Sequence, residues 1–341
     1  MAEKKEYHEP EIIDIVKLCD SRGRLNPDAV GWSRYPLHNC NLSNNFMRKK
    51  RWNYWCIVTD RFMFSATLSD IDYLGLAFVY FLDFKTRYFH EITVTRPFGR
   101  GCSLPDTAAG SITYEDEKLN LRFIDRGDKT YIKVHCPDFD GKELNADLTA
   151  VLPSDHETLN VVIPWSDRKF QFTSKQHSLP AEGVISLGEK SYNARGGFAC
   201  LDYGRGVWPY ASMWNWAGGT GISKGHTIGL NFGAGWTDGT GMNENGICID
   251  GRLTKISEDL IFTYDRKNFM KPWNIRTAVT DRIDVKFEPF YERLAKTNAV
   301  ILASEVHQMI GYFSGTVTDE EGNRYSFEKF PGWAEEHRAR W

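Results

Sequence analysis

The chain has 341 residues and a net charge of −3, and 41% of its residues are hydrophobic. This length favours two domains, and the near-neutral charge argues against a partner that is a nucleic acid or an anionic membrane. No apolar run reaches the ~20 residues of a membrane helix, and the first residues are not followed by the apolar stretch of a secretory signal.

The predicted elements are almost all strands, because short runs rich in Val, Ile, Thr, Phe and Tyr alternate with Gly, Asp, Asn and Pro. In chain order the strands cover 54–59, 75–84, 88–95, 111–115, 119–125, 131–135, 145–151, 159–162, 169–173, 183–187, 227–232, 246–249, 260–264, 282–288 and 305–318. Short helices are expected at 192–201 and at 332–341, where Trp333, His337 and Trp341 recur every four residues. The series predicts an all-β protein of barrels or sandwiches with few short helices.

A repeated motif indicates how the chain is divided. Trp-Asn-Tyr-Trp at 52–55 returns, shortened, as Trp-Asn-Trp at 214–216, about half a chain later. The repeat predicts two related β-barrels that pack together. We place the boundary in the segment 164–180, which gives an N-terminal domain at 1–165 and a C-terminal domain, ending in the short helix, at 166–341.

Several common nucleotide-binding and catalytic motifs are absent from the sequence. There is no Gly-x-Gly-x-x-Gly after a strand, no Walker loop, no His-Glu-x-x-His and no Gly-x-Ser-x-Gly. The nine histidines lack tight ligand spacing, so we expect neither a metal nor a cofactor. The seven cysteines are scattered and odd in number, which fits a reduced, cytoplasmic protein better than a disulfide framework.

The richest chemistry lies between residues 202 and 216. A carboxylate among aromatic rings loses hydration, which raises its pKa toward the range of a general acid at neutral pH, whereas a nearby Arg lowers it. Asp202 is therefore a candidate proton donor or acceptor and Arg205 its polarising partner. The alternative is that Asp202 and Arg205 form a buried pair that only holds a loop in place. The candidate substrate-binding residues here are Trp208, Tyr210, Trp214, Asn215 and Trp216.

Three further segments contribute candidates. The polar loop 236–245 carries Asp238 and the possible catalytic Glu244, although such a sequence also simply forms turns. The segment 31–36 offers Trp32 and Arg34, either as a lid over a pocket or as a structural plug. Glu335 lies near the chain end beside an indole, where a surface helix start is the alternative.

The segment 197–202, followed by 214–216, resembles a pattern in carotenoid 1,2-hydratase-like and kievitone-hydratase-like proteins, which carry Gly-x-Ala-x-x-Asp-His and then Trp-Asp-Trp. The resemblance, which extends to AttH-like proteins, implies two packed lipocalin-like antiparallel barrels that act on lipid, terpenoid or polyketide-like molecules without a redox cofactor. Tyr203 stands where that group has His, and Asn215 where it has Asp. Hydratase-like chemistry would therefore need another group, such as Tyr203 or Glu244.

Over nearly its full length the chain resembles a domain-of-unknown-function family. The shared motifs are Gly-Trp-Ser-Arg-x-Pro at 31–36, Arg-Trp-Asn-Tyr-Trp at 51–55, Leu-Asp-x-Gly-Arg-Gly-x-Trp-Pro-Tyr at 201–210 and the ending at 332–341. This resemblance implies no activity.

Three functions follow from these observations. The first is a small-molecule enzyme that uses acid–base catalysis, of hydratase, lyase or isomerase type. The second is a glycosidase, in which Asp202 would pair with Glu244 or Asp238 across one pocket. The third is a non-catalytic carrier. A closed apolar cavity whose polar groups are paired with one another would be evidence for it. The sequence does not indicate an oligomeric state.

Overall fold

A computed structural model describes residues 9–42, 44–298 and 303–341, and nearly all of their regular structure is β-strand. In these ranges the only helix is the 3-10 turn Pro27–Ala29, and no helix is long and apolar enough to span a membrane. The strands form two large antiparallel sheets, which confirms the predicted all-β fold class.

The strands are numbered along the chain. A small parallel pair consists of β1 (Val16–Lys17) and β3 (His38–Asn39). The first large sheet contains β2 (Trp32–Ser33), β4 (Lys49–Val58), β5 (Phe62–Asp70), β6 (Leu74–Asp83), β7 (Phe89–Pro97), β8 (Ile112–Tyr114), β9 (Asn120–Asp125), β10 (Lys129–Cys136), β11 (Leu144–Val151), β12 (Leu159–Ser166), β13 (Lys169–Leu187), β14 (Lys190–Asn193) and β15 (Gly197–Val207).

The second large sheet holds the rest of the chain. Its strands are β16 (Ala211–Ser223), β17 (His226–Ala234), β18 (Gly246–Ile249), β19 (Arg252–Lys255), β20 (Leu260–Thr263), β21 (Trp273–Thr277), β22 (Ile283–Asn298), β23 (Ala303–Thr318) and β24 (Arg324–Arg340). In space they follow the order β19-β18-β17-β16-β24-β23-β22-β21-β20.

The strands that face the other sheet are buried on both sides. On β4, Trp55 and Ile57 belong to the core of the first sheet, whereas Tyr54 and Cys56 belong to a separate cluster between the sheets. Outer strands such as β11 instead alternate regularly between buried and exposed residues. Each sheet therefore encloses its own core, and two further apolar clusters join the sheets.

The repeated motif lies on equivalent faces of the two sheets. In 52–54 on β4 and in 214–216 on β16, the aromatic residues on either side of the Asn point toward the other sheet. Alternation along a strand turns Asn53 and Asn215 the other way, into hydrogen bonds with Arg205 and Tyr264.

The two predicted helices are strands instead. Residues 192–201 contain the end of β14, a turn at Gly196 with φ of +84° and the start of β15. The C-terminal residues 332–340 belong to β24. A spacing of four residues also matches the two-residue period of a strand, so Trp333, His337 and Trp341 share one face in either structure.

The predicted boundary near residue 165 does not coincide with the change of sheet. The prolines around residues 164–180 flank the tight β12–β13 connection and a bulge within β13, and both strands belong to the first sheet. The chain passes to the second sheet only between Val207 and Ala211.

Candidate active site

A cavity of about 290 Å³ lies between the two sheets. Its wall combines β4–β7, β13 and β15 of the first sheet with β16 and β22–β24 of the second. The cavity is therefore shared between the halves of the molecule. Indoles dominate its lining, and they belong to Trp52, Trp208, Trp214, Trp216, Trp236 and Trp341.

On the first sheet, one transverse row of side chains faces the cavity. The register places Lys175 opposite Asp202, Asp202 opposite Tyr54, Tyr54 opposite Thr67 and Thr67 opposite Phe78. Directly opposed residues on neighbouring strands project to the same face of a sheet. Five strands thus bring together residues that are far apart in sequence. Tyr54 and Asp202, for example, are separated by 148 positions.

A second transverse row faces the cavity from the other sheet. Arg293 on β22 lies opposite Gln308 on β23, which lies opposite Glu335 on β24, which lies opposite Trp216 on β16. All four residues line the cavity.

Lys175 holds two carboxylates at the cavity wall. Its Nζ lies 2.9 Å from Asp202 Oδ1 and 3.1 Å from Glu244 Oε2, and 4.2 Å from the ring centroid of Trp216. Burial alone would lower the pKa of Lys175, but the two carboxylates outweigh it and raise that pKa, so the ammonium stays charged. Burial raises the pKa of Glu244, and the ammonium of Lys175 opposes this rise.

Indole and hydroxyl donors orient the same carboxylates. The Nε1–H of Trp52 donates to Asp202 Oδ2 over 3.1 Å, and the hydroxyl of Thr173 donates to Asp202 Oδ1 over 3.1 Å. The Nε1–H of Trp236 donates to Glu244 Oε1 over 2.8 Å. With Lys175, these contacts fix both side chains.

Glu335 is the carboxyl group whose proton affinity suits neutral pH. The Nε1–H of Trp214 donates to its Oε1 and the amide of Gln308 to its Oε2, each over 3.2 Å. Burial raises the pKa of Glu335 to about 7, against the opposing effects of the Trp214 hydrogen bond and of Arg293. This carboxyl group can therefore accept or release a proton near neutral pH.

The remaining charges of the second row are paired. Arg293 binds Glu91 in a bidentate ion pair, with Nε 2.7 Å from Oε2 and Nη2 2.9 Å from Oε1. His337 packs against Trp214 with ring centroids 4.0 Å apart and the ring planes tilted by 41°. Burial and, secondarily, Arg293 lower the pKa of His337 to about 3, so its ring is neutral at physiological pH.

Two buried polar atoms of the wall have neither a hydrogen-bond partner nor an ion-pair partner among the described residues. They are the hydroxyl oxygen of Thr67, whose side chain is almost wholly buried, and Nε1 of Trp341. Buried polar atoms without partners are rare in folded proteins. A bound polar molecule would satisfy them.

Six of the residues singled out from the sequence line the cavity. They are Asp202, Glu244, Trp208, Trp214, Trp216 and Glu335. They are distant in sequence, and the facing sheets bring them together.

Two of the predicted catalytic residues point away from the cavity. Tyr203 donates its hydroxyl to the carbonyl of Pro105 within the core of the first sheet. Arg205 binds carbonyl groups, including that of Pro105, and the side-chain oxygen of Asn53. An odd separation along a strand places Asp202 and Arg205 on opposite faces, so the expected Asp202–Arg205 pair is replaced by Asp202–Lys175.

Five of the predicted binding residues also lie outside the lining. Asn215 faces Tyr264 on the far side of β16, Tyr210 is 58% exposed, and Asp238 accepts from the backbone N–H of Gly235 in a turn. The side chain of Trp32 donates to the carbonyl of Glu9, and Arg34 contacts Glu157 and the carbonyl of Leu253. The last two residues fasten the N-terminal segment.

Several cavity residues were not selected from the sequence. The most important is Lys175, which lies inside the segment interpreted as a domain boundary. The sequence offered no signal for it, because Lys175 lies in a polar stretch two residues beyond the predicted strand 169–173. The others are Glu91, Arg293, Gln308, His337, Trp52 and Tyr54.

Comparisons with known proteins were made on sequence and on structure. The family model described as Domain of unknown function (DUF2804) matches residues 9–341, which confirms the family resemblance seen in the sequence. No curated protein matches the sequence. Kievitone hydratase from Nectria haematococca is 13% identical, with 87% of this chain and 90% of that chain covered and a TM-score of 0.49. An AttH-like protein from Nitrosomonas europaea is 12% identical, with coverages of 86% and 93% and a TM-score of 0.44.

Proposed function

Because the chain belongs to the family described as Domain of unknown function (DUF2804), whose description assigns no activity, we propose a function from the site itself. The protein is an acid–base enzyme of hydro-lyase or isomerase type. Its substrate is a small organic molecule that binds in the cavity between the sheets.

Glu335 carries this proposal. It lies on the cavity wall, its pKa is raised to about 7, and indoles surround it. A carboxyl group of this kind serves as a general acid or base at neutral pH, because both of its protonation states are populated. The proton transfer is thus given to Glu335 and no longer to Asp202.

Asp202 and Glu244 take a supporting role in this proposal. Both are bound to the ammonium of Lys175 and to indole donors, so they present a fixed negative surface opposite Glu335. Such fixed charges stabilise a developing positive charge or orient a hydroxyl group of the substrate.

The carboxyl pairs suggested from the sequence give little support to a glycosidase. That chemistry needs one protonated and one ionised carboxyl group on opposite sides of a sugar bond. Asp202 and Glu244 bind the same ammonium and therefore lie on one side of the cavity. Asp238, the other suggested partner, lies in a surface turn.

A carrier is the second candidate, and a specific observation favours it. The charged groups of the wall are bound to one another, as in Lys175 with Asp202 and in Arg293 with Glu91. This is what a cavity that only holds its ligand requires. A carrier would bind a molecule of suitable size without turning it over.

A chromogenic base probe separates these functions. The ring-opening elimination of 5-nitrobenzisoxazole needs one base and releases a coloured phenolate. We expect the protein to catalyse it with a rate that rises through an apparent pKa near 7, and Glu335→Gln to lower the rate roughly 10²–10⁴-fold.

The control is Glu336→Gln, the same change one position along β24. Glu336 points to the other face, where it binds Arg266 and Tyr264, so the rate should stay within a few-fold of the parent. Equal rates for the parent and Glu335→Gln, with unchanged circular dichroism, would remove Glu335 from the mechanism. If the probe quenches tryptophan fluorescence but is not turned over, the carrier is the function that remains.

A further inference from the structure

The cavity wall carries more negative than positive charge. Its ionisable residues comprise two bases, Lys175 and Arg293, and four acids, Glu91, Asp202, Glu244 and Glu335. With every group ionised the wall has a net charge of −2, and with Glu335 protonated it has −1. The neutral ring of His337 adds nothing. Each cation is already matched by a bound carboxylate, so the excess is acidic.

The same wall is a cage of aromatic rings. Trp208 contacts Trp52 and Trp214, with ring centroids 6.1 and 5.3 Å apart, and Trp216 contacts Tyr54, with centroids 5.8 Å apart. All five rings line the cavity. Aromatic faces attract cations, and enclosed aromatic cages are the common binding sites of alkylated ammonium groups. The nearby Lys175 shows the effect directly, since its ammonium lies 4.2 Å from the Trp216 ring centroid.

A further positive group, the ammonium of Lys50, lies near the cavity. Lys50 is buried behind Trp341, with Nζ 5.6 Å from that ring centroid and 4.6 Å from the centroid of Tyr73. It is not part of the lining. Burial lowers its pKa to about 8, so it loses part of its charge at alkaline pH, and it does not reverse the sign of the wall.

From the excess of carboxylates and the aromatic cage together, we infer that the cavity binds a small organic cation, such as an alkylated amine. This inference deepens the proposed function and rests on the same cavity. The unpartnered hydroxyl of Thr67 suits a ligand that carries a hydroxyl or carbonyl group beside its charge. An anionic ligand would face the net negative charge of the wall.

An isosteric series tests the inference on the unmodified protein. Choline, 3,3-dimethyl-1-butanol and 3,3-dimethylbutanoate share a branched head of the same shape, and they carry a positive, zero and negative charge. We expect choline to bind at least tenfold more tightly than the alcohol, and the carboxylate to bind more weakly than either. Calorimetry and quenching of tryptophan fluorescence measure the three dissociation constants.

The pH dependence adds a second readout. Choline binding should strengthen as the pH rises through about 7, because Glu335 then becomes ionised, whereas binding of the alcohol should change little. Glu335→Gln should remove this dependence and Glu336→Gln should keep it. The other titratable or charged groups on the cavity wall are Tyr54, Glu91, Lys175, Asp202, Glu244, Arg293 and His337.

The outcomes distinguish this inference from the proposed function. If the alcohol binds as tightly as choline, the inference is overturned, and turnover of 5-nitrobenzisoxazole by Glu335 is unaffected. If choline binds preferentially while Glu335→Gln leaves that turnover unchanged, the cation site stands and the acid–base assignment falls. If none of the three probes binds, the cation site is overturned.

Discussion

At the scale of single residues, Lys175 is the centre of the site. It is the cation to which both Asp202 and Glu244 bind, and all three side chains are buried. A buried ion pair contributes little net stability compared with an apolar replacement of the whole group, but loss of one partner leaves an uncompensated charge. Loss of Lys175 should therefore disrupt the site, because two buried carboxylates would lose their cation.

Replacement of Lys175 should be costly. We expect Lys175→Met to lower the free energy of unfolding by about 3–5 kcal/mol, because two carboxylates are left in a region of low polarity. Adding Glu244→Gln should recover part of this loss. Urea unfolding followed by fluorescence gives the values.

Lys169→Met is the control, on the same strand but with an exposed side chain. It should change the free energy of unfolding by less than about 0.5 kcal/mol. A Lys175→Met variant as stable as this control would show that the two carboxylates do not need the ammonium.

At the scale of elements, strand alternation explains what the sequence revealed and what it hid. The strand-rich pattern and the Trp-Asn repeat predicted the fold class, since both depend on local residue order. The pairing of Asp202 with Lys175 depends on the register between β13 and β15, which a single sequence does not encode visibly. The last strand was mistaken for a helix because residues four apart share a face in both structures.

Close strand contacts also set the position of an indole. Gly204 lies directly opposite Trp52, and a Cβ at Gly204 would come within 2.1 Å of the Trp52 ring. We expect Gly204→Ala to displace that ring, break its hydrogen bond to Asp202 and cost about 1–3 kcal/mol of stability. Unfolding experiments and near-ultraviolet circular dichroism, which reports on indole packing, test this.

The matched change is Gly246→Ala on β18. There a Cβ would lie 3.2 Å from the ends of Leu159 and Leu253, which can move, and 3.4 Å from the carbonyl oxygen of Thr254, an ordinary contact distance. Equal effects of the two alanines would mean that the backbone at Gly204 is not what positions Trp52.

At the scale of the whole molecule, the raised pKa of Glu335 couples stability to pH. The folded protein keeps this proton up to a pH of about 7, whereas the unfolded chain releases it near 4.5. Between these values the folded state binds more protons, so a rise in pH favours unfolding. Relative to Glu335→Gln, the protein should lose up to roughly 3 kcal/mol of stability from pH 4.5 to 7 and no more above it.

Denaturant unfolding of both proteins at a series of pH values gives this difference. Glu336→Gln should keep the loss of stability that Glu335 causes between these pH values. A difference between the parent and Glu335→Gln that stays constant from pH 4.5 to 7 would show that Glu335 titrates alike in the folded and unfolded states.

The shared wall of the cavity makes a bound molecule a reversible cross-link between the sheets. Because the ligand touches β15 and β24 at once, its binding free energy adds to that of docking one sheet on the other. Any motion that draws the sheets apart then weakens the grip on the ligand. In the proposed enzyme, release of product would require the contact between the sheets to relax, so the rate of turnover would depend on the mechanical stiffness of the protein.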